Sequence, residues 1–299
     1  MKKAIRFSIV VCLVSWLSAL VFHLVTGYTV NSDQNAKLVF TAFCTAYMFL
    51  PLVCGLILQL FDRQKPAATG LLRFRPRRSW LVGWLLVPLV IFVAILCNSL
   101  FADVSFSAEN MPATLVSAVE AQFGQMSMGI FVLLTLGSGL LAGVTINAVA
   151  AFGEEYGWRN YMVDALRGVK FWKAALLIGI VWGLWHFPII LMGHNYPVHR
   201  VAGVFMMCLM TLALGVIELY FVLKARSVYP AAIIHGTFNA LAGATSMFVS
   251  GGNDLLNGMP GLSGAIAMTL FVVLLVIYDR YISREKIFSR TIGESLGRV

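Results

Sequence analysis

The sequence predicts an all-α, polytopic membrane bundle of about eight transmembrane helices with both termini on the cytoplasmic side. Three observations predict it. Of 299 residues, 60% are hydrophobic and 12% are charged, against about 25% charged in an ordinary soluble domain. The apolar residues fall in long runs, and ~20 consecutive residues suffice to cross ~30 Å of hydrocarbon. The basic residues gather in alternate short connections, which is the bias that orients membrane helices. No repeat, low-complexity tract or linker divides the chain, so residues 1–299 read as one integral membrane domain of a multi-pass cell-membrane protein.

The eight windows run roughly 7–29, 37–60, 80–101, 129–152, 172–192, 201–223, 230–250 and 261–279. The first follows Lys2, Lys3 and Arg6 as a signal peptide would, but it is too long for a typical signal core and lacks a small-residue cleavage site. It is therefore read as a helix. Arg63, Lys65, Arg73, Arg75, Arg77 and Arg78 crowd the second connection, and Arg280, Arg284, Lys286, Arg290 and Arg298 follow the last window. Connections 30–36 and 102–128 hold Asp33, Asp103, Glu109 and Glu120 without lysine or arginine. An even number of spans with both ends inside satisfies this pattern. The net charge of +9 is thus topology and contact with anionic lipid, and a nucleic-acid partner is excluded. The stretch 102–128 is expected to form a short amphipathic piece at the outer surface. Cys12, Cys44, Cys54, Cys97 and Cys208 sit in apolar runs at irregular spacing, as small buried hydrophobes do.

Polar side chains inside spans are costly in lipid and generally face a bundle interior or a wet cavity. Three clusters stand out: Glu154, Glu155 and Arg159 in AFGEEYGWRNYM; His186 in VWGLWHFP; His235 and Asn239 in IIHGTFN. If the chain runs as helix from 129, turns near Gly168 and returns, Glu154 and His186 stand at equal height, ~20 Å from the hairpin tip. From the inner connection KARSVY, His235 and Asn239 lie roughly 9 and 15 Å up their helix, four residues apart and so on one face. Residues 129–250 therefore form the motif core, converging in one cavity expected to open on the cytoplasmic side.

Glu155 and Arg159 stand in the favourable i,i+4 order for an ion pair, a clamp that supports the site. Glu154, about 100° around the helix, is then free to face the cavity as a general base for water. His235 and Asn239 are placed to donate to a developing oxyanion. Glu154, His186 and His235, a carboxylate and two imidazoles, equally suit a zinc ion with an open fourth position. Two mechanisms, one without cofactor and one with a divalent metal, fit these residues.

The set EEYGWR, WGLWHFP and HGTFN resembles the three motifs of the CPBP family of intramembrane proteases, which includes the CAAX prenyl endopeptidases and bacteriocin-related, abortive-infection proteins. The resemblance covers roughly 130–250 and is specific as a set. It implies a glutamate or metallo-endopeptidase acting on membrane-associated or lipidated proteins and peptides. Position by position, it implies that Glu154 is the catalytic glutamate, with Glu155 its neighbour and Arg159 the motif arginine. It implies that His186 helps Glu154 activate water and that His235 and Asn239 serve the oxyanion or, in the metal description, partly the metal. Trp182 stands where the second motif commonly has phenylalanine, and Asn160 where the first often has glycine.

Other polar residues have plainer readings. His23 is expected to be structural, His194 and His199 solvated in an outer loop, and Trp182 and Trp185 packed between helices, with substrate contact as the alternative. Glu218 is left between two roles, reaching for the interface or joining the cavity. Other intramembrane chemistries lack their signatures: there is no HExxH, GSG at 137–139 is not GxSG, and Tyr278–Asp279 has no GxGD partner. The rival class is non-enzymatic, a bacteriocin-immunity binder or a proton-coupled transporter using the same polar cavity. No internal duplication supports a transporter, and every reacting residue is present, against an inert binder.

Overall fold

Hydropathy runs become helices here, as expected, and the pattern of breaks is what positions the site. The computed structural model describes residues 1–105, 117, 121, 124 and 127–297. Its larger helices are α1 (Lys2–Thr26), α2 (Gln34–Tyr47), α3 (Leu50–Phe61), α4 (Arg78–Asn98), α5 (Met128–Val144) and α6 (Ile146–Glu155). A π-helical turn, Tyr156–Tyr161, leads into the short α7 (Met162–Ala165). Then come α8 (Phe171–Trp185), α9 (Phe187–Leu191), α10 (Arg200–Ala225), α11 (Tyr229–Leu241), α12 (Leu262–Tyr281) and α13 (Ile292–Leu296). One two-stranded ribbon pairs β1 (Asp103–Val104) with β2 (Val249–Ser250). The amphipathic piece expected over 102–128 lies almost wholly outside the described residues.

Among the described residues five helical segments are long and apolar enough to cross a membrane, or six if α5 and the bent continuation Ile146–Ala165 count as one. The expected windows 172–192 and 230–250 are corrected to shorter elements. The first breaks at His186, just before Pro188, and the second starts beside Pro230 and tightens into a 3-10 turn at Ala242–Ser246. Both keep their irregular turns against buried residues of the bundle, where such backbone can be satisfied by protein instead of lipid.

Local chemistry sets the ends. Asp33 caps α2 by accepting from the Ala36 amide at 2.8 Å, and Thr291 and Glu294 cap α13 reciprocally. At the α5–α6 junction the axis bends by 47°. There Thr145 leaves helical geometry, and its hydroxyl donates to the Leu141 carbonyl at 2.7 Å. A side chain inserted into the backbone ladder is a recognised cause of a kink. Gly143 and Gly236 let α11 cross this bend closely: a Cβ on Gly236 would meet the Asn147 backbone at 2.7 Å.

The connections sort into two ends. At one, the Met1 amine donates to the Ala165 carbonyl, Arg6 pairs with Asp62, Lys224 pairs with Glu285, and Lys170 bridges Thr291. At the other, Asp254 accepts from the Val198 amide and the Tyr196 hydroxyl donates to the Pro260 carbonyl. Among the described residues every lysine and arginine except Lys37, Arg159 and Arg200 belongs to the first end.

Candidate active site

Glu154 ends α6, buried, and its Oε2 accepts from the Trp182 indole nitrogen at 2.6 Å. The same indole lies edge-on to the His235 ring at 5.3 Å and beneath the Arg159 guanidinium at 4.3 Å. The motif helix is pinned from outside by two side-chain bonds. The Tyr156 hydroxyl donates to Gln59 at 2.6 Å, and the Thr69 hydroxyl donates to Asn160 Oδ1 at 2.6 Å. Asn160 thus fills the place of the motif glycine with a tether. The π-helical turn across 156–161 inserts one extra residue per turn there, a distortion often found at functional sites.

Glu155 and Arg159 pair as expected, Nη1 to Oε1 at 3.1 Å. Two further groups join them. The other Arg159 nitrogen contacts Glu218, and His235 Nδ1 donates to Glu155 Oε1 at 2.9 Å. Arg159, Glu155 and Glu218 are all fully enclosed. Glu218 therefore neither reaches the interface nor joins the cavity; it completes the clamp from α10.

His186 stands at the break between α8 and α9. Its Nδ1 lies 2.8 Å from the Trp182 carbonyl, and a carbonyl can only accept, so Nδ1 carries the proton and Nε2 keeps its lone pair. Pro188 brings no amide to the helix ladder, and side chains serve the loosened carbonyls instead: Trp16 donates to Leu184 at 3.2 Å and the Tyr47 hydroxyl to Trp185 at 2.9 Å. Trp185 itself donates to Ser15 at 2.7 Å, so it packs as expected. Trp182 does more than pack, since it holds the candidate base.

Glu154, His186, His235 and Asn239 line one cavity of about 570 Å³. None of the basic connections contributes a residue to its described lining. The cavity is walled by Thr41 and Thr45 of α2, by Ile146 and Asn147 at the kink, and by His194, Asn195 and Pro260 at the end opposite the basic connections. His194 is corrected: it lines the cavity and meets the Phe40 ring at 6.5 Å instead of standing in solvent. His199 is half-buried and bound to Asp254 at 2.5 Å, whereas His23 is structural, bonded to the Tyr28 carbonyl at 3.0 Å.

Three contributors escaped the sequence. Trp182 carried a usable signal, being four residues before His186 and so on its face. Glu218 and Arg159 could have been paired by charge balance, because each is stranded in an apolar run. His194 offered no periodic clue.

Residues 135–241 match the family described as Rce1-like, Type II CAAX prenyl endopeptidase. A protein named CAAX prenyl protease 2, from Methanococcus maripaludis, is 47% identical over 49 residues, which are 16% of this chain and 18% of that protein. The matched region, about a third of the chain, contains the three motif segments around Glu154, His186 and His235. The aligned stretch spans less than a fifth of that relative's length.

That likeness raises the question of a metal. Among the described residues the His, Cys, Asp or Glu set whose donor atoms all lie within 4.8 Å of one another is Glu155, Glu218 and His235. Arg159 already sits on both of its carboxylates, so the place of a cation is taken by a guanidinium. Glu154 and His186 fall outside that set. The zinc alternative on Glu154, His186 and His235 thus has no gathered donor set, and the side chains alone carry the chemistry below.

Proposed function

We propose that this protein is a member of the CPBP family and an intramembrane endopeptidase, hydrolysing peptide bonds of membrane-associated proteins or peptides. The observation that carries the reading is Glu154. A carboxylate enclosed in an apolar bundle, at the wall of a cavity shared with two histidines and an asparagine, is costly to bury unless it has work to do.

The geometry supports the following course. Trp182 occupies Glu154 Oε2 and leaves Oε1 for a water. The His186 Nε2 lone pair accepts that water's other hydrogen and fixes its direction. As the water oxygen bonds to the scissile carbonyl carbon, its proton passes to Glu154. The oxyanion forms beside His235 and Asn239. Glu155 fixes the His235 ring through Nδ1, so the imidazolium form directs its second N–H at the oxyanion, and Asn239 offers its amide. When the carbon–nitrogen bond breaks, the proton held by Glu154 moves to the departing amine, and carboxylate is restored.

Glu154→Gln keeps shape and removes the base, so it should abolish cleavage without unfolding the protein. New peptide N-termini would be surveyed in membranes of cells carrying either form. Termini appearing only with the unsubstituted protein support proteolysis and name the substrate; indistinguishable surveys, with a cellular phenotype still dependent on the protein, would leave the immunity-binder reading.

A further inference from the structure

We infer that the cavity is entered from the extracytoplasmic side, and that its substrates are uncharged peptide segments of exported or outward-facing membrane proteins. The inference rests on the proteolytic reading above and adds which face, and which class of chain, that chemistry serves.

The first observation is the separation of charge from cavity. The connections 62–77, 166–170 and 226–228, the N-terminus and the segment after α12 form one end, and it carries nearly all lysine and arginine. Short connections rich in lysine and arginine stay in the cytoplasm. None of those connections lines the cavity, whereas two connections at the opposite end do, through His194, Asn195, Met259 and Pro260.

The second observation is a seal. Between Glu154 and the cationic end lies a layer without exposed side chains: the Arg159–Glu155–Glu218 cluster, the continuous buried run 214–223 of α10, and the Asn160–Thr69 tether. A peptide approaching from the cytoplasm would have to open that ion cluster. At the other end the cavity's lining connections are bonded to one another. Asp254 accepts from the Val198 amide at 2.8 Å, the His199 amide at 3.2 Å and the His199 ring at 2.5 Å, and Tyr196 donates to the Pro260 carbonyl at 2.5 Å. These bonds tie the 192–199 connection to the 251–261 connection along the rim.

The lining describes the occupant. Among the described residues it contains no lysine, arginine or aspartate, and its one carboxylate is Glu154. Its histidines are the only groups there that could meet a free C-terminal carboxylate with positive charge, and His235 is already paired with Glu155. Thr41, Thr45, Asn147, Asn195 and Asn239 instead offer neutral donors and acceptors along an otherwise apolar wall. Such a wall suits a backbone with uncharged side chains, cleaved internally, better than a charged chain end.

Single cysteines with a membrane-impermeant cationic thiosulfonate reagent test this. In a Cys44→Ala background, which removes the native thiol lining the cavity, Asn147→Cys, Asn195→Cys and Arg73→Cys would be labelled in intact cells and in inside-out vesicles. Asn195→Cys and Asn147→Cys should react in intact cells and lose that reaction in sealed inside-out vesicles, while Arg73→Cys should do the reverse. If Asn147→Cys fails to accumulate, Asn195→Cys, in an exposed connection, carries the same test. Reaction of the cavity cysteines only in inside-out vesicles overturns the inference. Labelling needs no turnover, so it is independent of the Glu154→Gln survey: outside labelling without Glu154-dependent cleavage sinks the proteolytic reading alone. Glu154-dependent cleavage confined to cytoplasmic segments sinks the present inference alone.

Discussion

α1 and α10 are near twins by hydropathy and opposites in the fold. They have 25 and 26 residues and mean hydropathies of 2.3 and 2.2, yet 17% of one span and 72% of the other are buried inside the protein. α1 turns Leu13, Leu17, Leu24 and Val25 to lipid. α10 carries Thr211, Gly215 and Glu218 into the centre, where Gly179 and Gly183 of α8 meet it. Lipid is as apolar as leucine, so apolar surface alone does not draw one helix to another; small residues and hydrogen bonds do. Hydropathy therefore says which segments cross, and polar and small residues say which of them is central.

The largest effect that would break this contrast is loss of Arg159. Arg159→Ala strands two buried carboxylates, and removing one partner of a buried pair costs on the order of 3–5 kcal/mol. Thermal unfolding in detergent should show the variant severely destabilised or failing to accumulate, while Leu17→Ala on the lipid face of α1 should stay within about 0.5 kcal/mol. Equal losses at the two positions would mean that the ion cluster does not organise the bundle. Next in size is Trp182→Phe, which keeps the ring but removes the N–H from Glu154. A hydrogen bond to a charged group is worth about 1.5–3 kcal/mol, so kcat should fall roughly ten- to a hundredfold. Unchanged kcat would remove Trp182 from the site.

Those residues also show how far the sequence reaches. The helical nature of the apolar runs, the turn near Gly168 and the Glu155–Arg159 pair are local facts of a helix and follow from periodicity. So does the convergence of Glu154, His186, His235 and Asn239, because rough heights on adjacent helices can be counted from the turns. What was not legible depends on rotation and on breaks. Which nitrogen Glu154 would find, where Glu218 would point, and that His194 would turn inward are set by helix–helix packing. The shape of the cavity wall depends on the kink at Thr145 and the break at His186, and neither residue type announces such a break by itself.

A packing substitution sharpens the comparison at smaller scale. A Cβ on Gly183 would meet the Cys208 Cα at 2.6 Å, whereas one on Gly137 of α5 meets nothing within 4 Å. Gly183→Ala should cost about 1–3 kcal/mol through overpacking, and Gly137→Ala should be neutral or slightly stabilising, since alanine favours helix. Thermal shifts of the two variants decide it. A neutral Gly183→Ala would mean that α8 and α10 slide freely, and the claim that small residues fix the centre would fail.

The smallest effect lies at the rim, where the charged group is partly in water. Burial pushes the Asp254 carboxyl up, but the His199 ring and the Val198 and His199 amides outweigh it and hold the group below its ordinary value. A carboxylate with a depressed folded value contributes its full stability above the unfolded value and loses it as pH falls through the folded one. The rim should therefore keep its strength at neutral pH and weaken only below about pH 4. Asp254→Ala should cost on the order of 1 kcal/mol at neutral pH and flatten the acid limb of the stability profile, while leaving the Arg159 cluster intact. Proteolytic susceptibility of the 192–199 connection, followed from pH 7 downward, separates the two regions: it should rise in acid for the parent and be high at every pH for Asp254→Ala. A connection equally protected in both would show that Asp254 does not hold the rim, and the mouth would then owe its shape to Tyr196 and Pro260 packing alone.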